Sequence, residues 1–142
     1  MSLESLCRRE IACVDVRSKV IEASKLMEDM NVGSIVVVQN DRPVGIITDR
    51  DIVIRVVNKG LHAEKCPVAE IMSLDLVTLN QKTGLFDALE QIKESGGGVR
   101  RYPIVDENGS VKGIITLDDV VYLLGKEMSD VSAIIETERP RF

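Results

Sequence analysis

The fold of this chain is decided by seven residues, Gly45-Ile46-Ile47-Thr48-Asp49-Arg50-Asp51. They return 68 positions later as Gly113-Ile114-Ile115-Thr116-Leu117-Asp118-Asp119. In each copy a glycine and two β-branched residues predict a short strand, and Thr-x-x-Asp then begins a run of apolar residues at helical spacing. The chain is therefore one structural unit written twice.

The Thr-x-x-Asp motif has two interpretations. In the first, each motif is a capping box, formed by Thr48 with Asp51 and by Thr116 with Asp119. Its role would then be only to stabilise the helix, by about 0.5–2 kcal/mol per cap. A helix N-terminus that faces a cleft also offers unpaired N–H groups and the positive end of a dipole, which suit an anionic ligand. An aspartate at that place repels phosphate but accepts two hydrogen bonds from a ribose diol. The repeated motif thus points to a nucleotide.

Length and charge exclude several classes of protein. The 142 residues, of which 44% are hydrophobic, suffice for one domain or for two small units that share a core. A net charge of −5 argues against broad binding to nucleic acid or to anionic membranes. The N-terminus has no apolar leader, and the longest aliphatic stretch, Ile35 to Val38, is too short to span a bilayer. A cytoplasmic protein is predicted.

Cysteine and histidine give no catalytic pattern. Cys7, Cys13 and Cys66 are an odd number without paired spacing and are interpreted as reduced thiols. His62 and Cys66 lie four residues apart and would suit a metal on one helical face, but a third and a fourth ligand are missing. With one histidine, no Gly-x-Ser-x-Gly and no Walker loop, the chain is predicted not to be an enzyme and to have no catalytic or metal residues.

Each copy is predicted to fold as β-α-β-β-α, which makes the protein an α+β fold of two repeats packed with pseudo-two-fold symmetry. The first strands are predicted at 12–14 and 77–79, the central strands at 35–38 and 102–105, and helices with apolar stripes lie between them. The predicted boundaries are 3–58 for the first repeat, 59–67 for a linker, 68–125 for the second repeat and 126–142 for a C-terminal helix and tail.

Turns and proline refine this scheme. Asp41-Arg42-Pro43 is predicted to turn the first hairpin and Asn108-Gly109 the second. Pro103 is predicted at an edge or irregular strand position, where a missing N–H is tolerated. Gly97-Gly98 add two residues to the second copy, on the approach to its cleft, and the two clefts are therefore expected to differ in affinity.

The doubled motif, with Val68-Ala69-Glu70-Ile71-Met72-Ser73 and the stretch Arg100 to Asp106, resembles tandem cystathionine β-synthase (CBS) domains, also called a Bateman module. The resemblance covers residues 3 to 125. It implies a stand-alone regulatory module that binds AMP, ADP, ATP or S-adenosylmethionine in clefts between the repeats and signals to an unidentified protein. It also implies a homodimer, with the adenine nucleotide as a regulatory ligand and no required cofactor.

The resemblance also implies the binding residues. Asp51 and Asp119 hold ribose hydroxyls in that family, and Thr48 and Thr116 contact phosphate or ribose. Main-chain groups that would meet the base are assigned to Ser34, Ile35, Val36, Tyr102 and Pro103. Thr78 supplies a hydroxyl that its counterpart Cys13 lacks. The guanidinium groups of Arg100 and Arg101 can each donate two hydrogen bonds to phosphate.

A second interpretation, from another class, is a ligand-free interaction or dimerisation scaffold. Both Thr-x-x-Asp boxes would then only cap helices. The segment from Lys126 to Glu136, with apolar residues at helical spacing and no counterpart in the first copy, would be the more important surface.

Overall fold

The computed structural model describes residues 1–96 and 100–140. Two three-stranded sheets form, each with one parallel and one antiparallel pair of strands, in the orders β1-β2-β3 and β4-β5-β6. The predicted α+β architecture of two β-α-β-β-α repeats is confirmed. Gly97 and Gly98, the predicted insertion, lie outside the described residues.

The first half begins with a four-residue helix and ends with a helix whose last turn is π-helical. Its elements are α1 (Leu3–Leu6), β1 (Cys13–Asp15), α2 (Val20–Met30), β2 (Ser34–Gln39), β3 (Arg42–Thr48) and α3 (Asp49–Ile52), which continues as a π-helical turn over Val53–Val57.

The second half repeats this order with a longer final helix. After a 3₁₀ turn at Val68–Glu70 come β4 (Leu79–Asn80), α4 (Leu85–Glu94), β5 (Arg101–Val105), β6 (Val111–Thr116) and α5 (Leu117–Glu138). The sequence predicts a separate C-terminal helix after Gly125, whereas α5 runs through this glycine without a break. Nothing lies within 4 Å of a Cβ built at Gly125, so its lack of a side chain is not required by packing within the chain.

The first hairpin turns earlier than the sequence predicts. Asn40 and Asp41 adopt φ values of 53° and 63° and form the turn. Arg42 and Pro43 already belong to β3, opposite Gln39 and Val38. Asn and Asp tolerate the left-handed region, and two such residues make the tight turn that joins twisted strands. The prediction of a turn at Asp41-Arg42-Pro43 is wrong, because the turn forms at Asn40 and Asp41 and leaves Arg42 and Pro43 to pair with β2.

The second hairpin turns where the sequence places it. Gly109 has a φ of 80°, and its N–H donates to the Asp106 carbonyl at 3.0 Å. The prediction of a tight turn at Asn108-Gly109 is confirmed.

Pro103 explains why β4 is short. The equivalent residue in the first half, Val36, donates its N–H to the Ala12 carbonyl at 2.9 Å beside the start of β1. Proline has no N–H to give, and pairing in the second half begins only one residue later, at Leu79 opposite Ile104. Pro103 lies in the central strand, where it pairs with β6 but not with β4, which begins one residue later. This is the irregular strand position that the sequence predicts for it.

Each half completes its core with a segment from the other half. Leu3, which is 1% exposed, packs with Leu79, Tyr102 and Ile115 of the second half. Val68 packs in the first core, beside Val20 and Ile35 among others. The two segments therefore cross over, and the halves share their cores reciprocally.

The crossing segments dock where the sheets carry glycine. Arg8 exchanges two main-chain hydrogen bonds with Ile114, and Ser73 exchanges two with Ile46. A Cβ at Gly45 would lie 3.0 Å from the Ser73 carbonyl oxygen, and one at Gly113 would lie 2.8 Å from the Arg8 carbonyl oxygen. The two motif glycines are needed because another backbone approaches closely.

Candidate functional site

The two Thr-x-x-Asp motifs cap their helices as the sequence predicts. The Asp51 N–H donates to Thr48 Oγ1 at 3.1 Å, and the Thr48 N–H donates to Asp51 Oδ2 at 2.9 Å. Asp119 and Thr116 repeat the exchange, both at 3.0 Å. Both capping boxes are confirmed, and each holds its carboxylate in a fixed orientation at the start of a helix.

At the start of α3 the N–H groups that the sequence predicts to be unpaired are hydrogen-bonded. At α3 the Asp49 N–H donates to the Gly33 carbonyl at 3.0 Å, and the Arg50 N–H donates to Asp49 Oδ1 at 2.8 Å. At α5 the Leu117 N–H donates to the Arg100 carbonyl at 3.0 Å. Binding of an anion beside α3 therefore depends on arginine side chains and on the helix dipole rather than on free amide groups.

A cavity of about 950 Å³ opens between the two halves beside Thr48, and we call it the first cleft. The volume is at the upper end of about 300–1,000 Å³ for small-molecule sites. Its lining combines the end of β3 and the start of α3 with the segment that leads to β4 and with residues around the start of β5: Gly33, Ile46, Thr48, Asp49, Arg50, Ser73, Leu74, Asp75, Leu76, Val77, Ser95, Arg100 and Arg101.

The lining is divided chemically. Ile46, Leu76 and Val77 supply an apolar surface, whereas Arg50, Arg100 and Arg101 bring three positive charges against the two carboxylates of Asp49 and Asp75. Arg100 Nη2 lies 3.1 Å from Asp118 Oδ1, but both side chains are mostly exposed, so the pair is screened by water. The cleft can therefore take a ligand with one flat apolar part and one anionic part.

The structure brings some of the predicted site residues to the first cleft and leaves others away from it. Thr48, Arg100 and Arg101 line the first cleft, and Asp51 is hydrogen-bonded to Thr48 directly behind it. The side chains of Ser34, Ile35, Val36, Tyr102 and Pro103 are buried. Their contribution would be through the main chain, where the Val36 N–H already donates to Ala12. Thr78 immediately precedes β4 and is not among the residues that line the cleft.

Sequence reasoning missed the segment from Ser73 to Val77. It has no periodicity of its own, and only the hydrogen bonds between Ser73 and Ile46 bring it to the cleft. One signal was present, because a glycine inside a predicted strand, Gly45, indicates that another backbone approaches there.

In the second half Arg8 has the place that Ser73 has in the first, and we call the surface around Arg8, Thr116 and Asp119 the second cleft. Arg8 Nη2 lies 2.5 Å from Asp119 Oδ1. Partial burial acts to raise the pKa of Asp119, but hydrogen bonds from Thr116 and the contact with Arg8 outweigh it and hold the pKa below its ordinary value. Asp119 is thus an anion with a bound cation.

Another concavity, of about 540 Å³, lies along the outer face of α4. Its lining includes Asp87, Glu90 and Glu94 but only one basic residue, Lys82. Such a surface repels phosphate, and it is not a candidate nucleotide site.

The thiols are not activated. Burial raises the pKa of Cys13 to about 11, and burial is also the main cause of the raised pKa of Cys66. A thiol with a raised pKa is neutral at pH 7 and a poor nucleophile. Among residues 1–96 and 100–140, no cluster of three His, Cys, Asp or Glu side chains is arranged to hold a metal ion. Within the same residues, no helix is both long and apolar enough to cross a membrane.

The CBS domain family model matches residues 3–58 and 68–126. The chain is a tandem CBS-domain protein. The CBS domain-containing protein YhcV of Bacillus subtilis is 36% identical to it over 132 residues, which are 93% of this chain and 89% of that protein. An uncharacterized protein of Methanopyrus kandleri is 33% identical over 122 residues, or 85% of this chain, and the CBS pair spans 61% of that relative's length.

Among solved structures, a CBS domain protein of Pyrobaculum aerophilum complexed with AMP superposes on this CBS pair with a TM-score of 0.70. The two are 20% identical, and the match covers 84% of this chain and 89% of that one. At this identity the superposition establishes the fold, and the AMP belongs to the Pyrobaculum protein.

Proposed function

We propose that this CBS pair is a regulatory module, not an enzyme, that binds an adenine nucleotide in the first cleft and signals its presence to another protein. The observation that carries the proposal is the composition of the first cleft, where an apolar wall and three arginines lie beside Thr48, to which the Asp51 carboxylate is hydrogen-bonded. The complex of the Pyrobaculum relative with AMP supports the same ligand class.

The parts of a nucleotide have matching partners. Ile46, Leu76 and Val77 would contact the base, Asp51 would accept hydrogen bonds from the ribose, and the arginines would contact the phosphate. A fork of two or more guanidinium groups suits AMP, ADP or ATP better than S-adenosylmethionine, whose sulfonium centre is positive. We therefore rank AMP, ADP and ATP above S-adenosylmethionine.

The proposal is tested by thermal shift and calorimetry with AMP, ADP, ATP, S-adenosylmethionine and NAD. A ligand at about 100 times its dissociation constant is expected to add roughly 2.7 kcal/mol of stability and to raise Tm by several degrees. GMP serves as the matched anionic control, because it keeps the ribose and the phosphate but changes the base.

A ligand-free scaffold is the alternative, and the satisfied N–H groups at the start of α3 favour it. It predicts no shift with any adenine compound. A shift that AMP and GMP produce equally would also count against adenine recognition and would indicate binding to the arginines alone.

We further propose a homodimer, supported by exposed apolar residues along α5. Val121, Leu124, Met128, Val131 and Ile135 follow one another at alternating spacings of three and four residues. All five are exposed, and Met128 and Val131 are 71% and 53% exposed. This spacing is the heptad pattern of helices that pair along a seam.

Changing Val131 and Ile135 together to glutamate is expected to convert the dimer to monomer, because four buried carboxylates would face each other across the seam. The matched control is Ala133→Glu with Thr137→Glu, which adds the same charge at the same spacing on the opposite side of α5. Analytical ultracentrifugation distinguishes the two variants. A seam variant that sediments like the control would place the dimer contact elsewhere.

A further inference from the structure

Arg8 and Ser73 occupy equivalent places in the two halves. Each exchanges a pair of main-chain hydrogen bonds with the second residue of the repeated motif, Arg8 with Ile114 and Ser73 with Ile46. Each therefore enters its cleft beside a Thr-x-x-Asp box. The half that receives Ser73 has a short hydroxyl at this place, and the half that receives Arg8 has a long cation.

The two carboxylates differ accordingly. Both Asp51 and Asp119 have side chains that are 17% exposed, and both use Oδ2 for the capping box. Asp119 Oδ1 accepts a short hydrogen bond from Arg8. Asp51 Oδ1 lies 3.9 Å from Arg55 Nε, which is beyond hydrogen-bonding distance. Oδ1, the carboxylate atom that the capping box leaves over, thus accepts a hydrogen bond from Arg8 in Asp119 and has only the longer ion pair with Arg55 in Asp51.

We propose that Arg8 is a specificity-determining residue that occupies the ribose-binding carboxylate of the second cleft and so confines the adenine nucleotide to the first. This inference rests on the proposed function. A ribose in the second cleft must displace a guanidinium from a partly buried carboxylate, and a charge-assisted hydrogen bond of this kind is among the strong ones. Ser73 imposes no such requirement on the first cleft.

Arg8 does not act as a phosphate ligand in this arrangement. Its charge is neutralised by Asp119 at contact distance. Arg100 of the first cleft is as exposed as Arg8, but its partner Asp118 is 83% exposed whereas Asp119 is 17% exposed. Water therefore screens the Arg100 pair more strongly, and phosphate replaces it more easily. Removing Arg8 should therefore improve binding in the second cleft, although it removes a positive charge.

The test measures AMP binding by calorimetry in a protein whose first cleft is disabled by Asp51→Ala. Adding Arg8→Ser, which gives the second half the residue of the first, is expected to tighten AMP binding about tenfold. The control in the same background is Arg9→Ser, which removes the same charge from the neighbouring, exposed residue. It is expected to leave the AMP affinity unchanged. The reciprocal change, Ser73→Arg in the otherwise unchanged chain, is expected to weaken binding about tenfold.

A second readout needs no nucleotide. The pKa of Asp119, followed by NMR titration, is expected to rise in Arg8→Ser because a contact that lowers it is lost. An unchanged pKa would overturn the proposal, and so would AMP binding that is no tighter in the Arg8→Ser/Asp51→Ala protein than in Asp51→Ala. If the unchanged protein binds no adenine compound, the proposed function itself is rejected. If it binds AMP and loses it through Asp119→Ala rather than Asp51→Ala, nucleotide binding stands, but the role of Arg8 and the location in the first cleft are both rejected.

Discussion

The Gly113→Val variant is expected to unfold about 3 kcal/mol more easily than the unchanged protein, with a Tm lower by about 10 °C. Its Cβ would lie 2.8 Å from the Arg8 carbonyl oxygen and against Cys7 Sγ. The Cys7 thiol can rotate away. The Arg8 carbonyl cannot, because both the N–H and the carbonyl of Arg8 are hydrogen-bonded to Ile114. The crossing segment would have to leave the sheet, and Leu3 would leave the core with it.

Two other glycines serve as controls for Gly113→Val in the same denaturation experiment. Gly45→Val should cost less, because its Cβ would lie 3.0 Å rather than 2.8 Å from the nearest backbone atom, the Ser73 carbonyl oxygen, and the Met72 side chain beside it is longer and more flexible than Cys7. Gly125→Ala should stabilise the protein by up to about 1 kcal/mol, because it replaces a helical glycine where nothing lies within 4 Å. Equal losses at Gly113 and Gly125 would contradict the account of close approach.

The Asp51→Ala variant is expected to bind AMP about 10- to 100-fold more weakly than the unchanged protein. The reason is that hydrogen bonds to a charged carboxylate contribute roughly 1.5–3 kcal/mol. Asp119→Ala is the matched control, because it removes the equivalent carboxylate from the cleft that Arg8 occupies, and it is expected to change the affinity about twofold or less. Calorimetry on both variants measures the difference.

Asp51→Ala also removes half of a capping box, which costs about 1 kcal/mol of stability. Asp51→Asn separates the two effects, since its side-chain oxygen can still accept from the Thr48 N–H while the charge is lost. Both variants are expected to bind weakly, but only the alanine should melt early. Unchanged affinity in Asp51→Asn and Asp51→Ala would remove Asp51 from the site.

The parts of the fold with a local cause were predictable. The apolar spacing of Val20, Ala23 and Met27 predicts α2, and all three are buried in the first core. The repeated Thr-x-x-Asp predicts two helix starts, and both are capped as expected. The first hairpin turns one residue earlier than predicted, because Asn40 and Asp41 both adopt the left-handed conformation that a tight turn requires.

The parts that depend on distant residues were not predictable. Nothing in the sequence near Leu3 indicates that its N–H is hydrogen-bonded to the carbonyl of Thr83, 80 positions later in the chain. The Gly33 carbonyl that satisfies the Asp49 N–H, and the Arg8 side chain that reaches Asp119, are likewise brought in by the tertiary fold. A sequence motif identifies which groups a site can use, but not which of them the remaining chain has already engaged.

The reciprocal crossing of the two opening segments constrains how the chain can be synthesised and folded. The first core needs Val68 and Ile71, so it cannot close until the ribosome has released the start of the second repeat. Leu3 must wait still longer, for β6 and the beginning of α5. Such long loops slow folding and leave apolar segments without their partners in the meantime. A chain that contains one repeat alone would therefore lack the segment that completes its core, and a second copy would have to supply it.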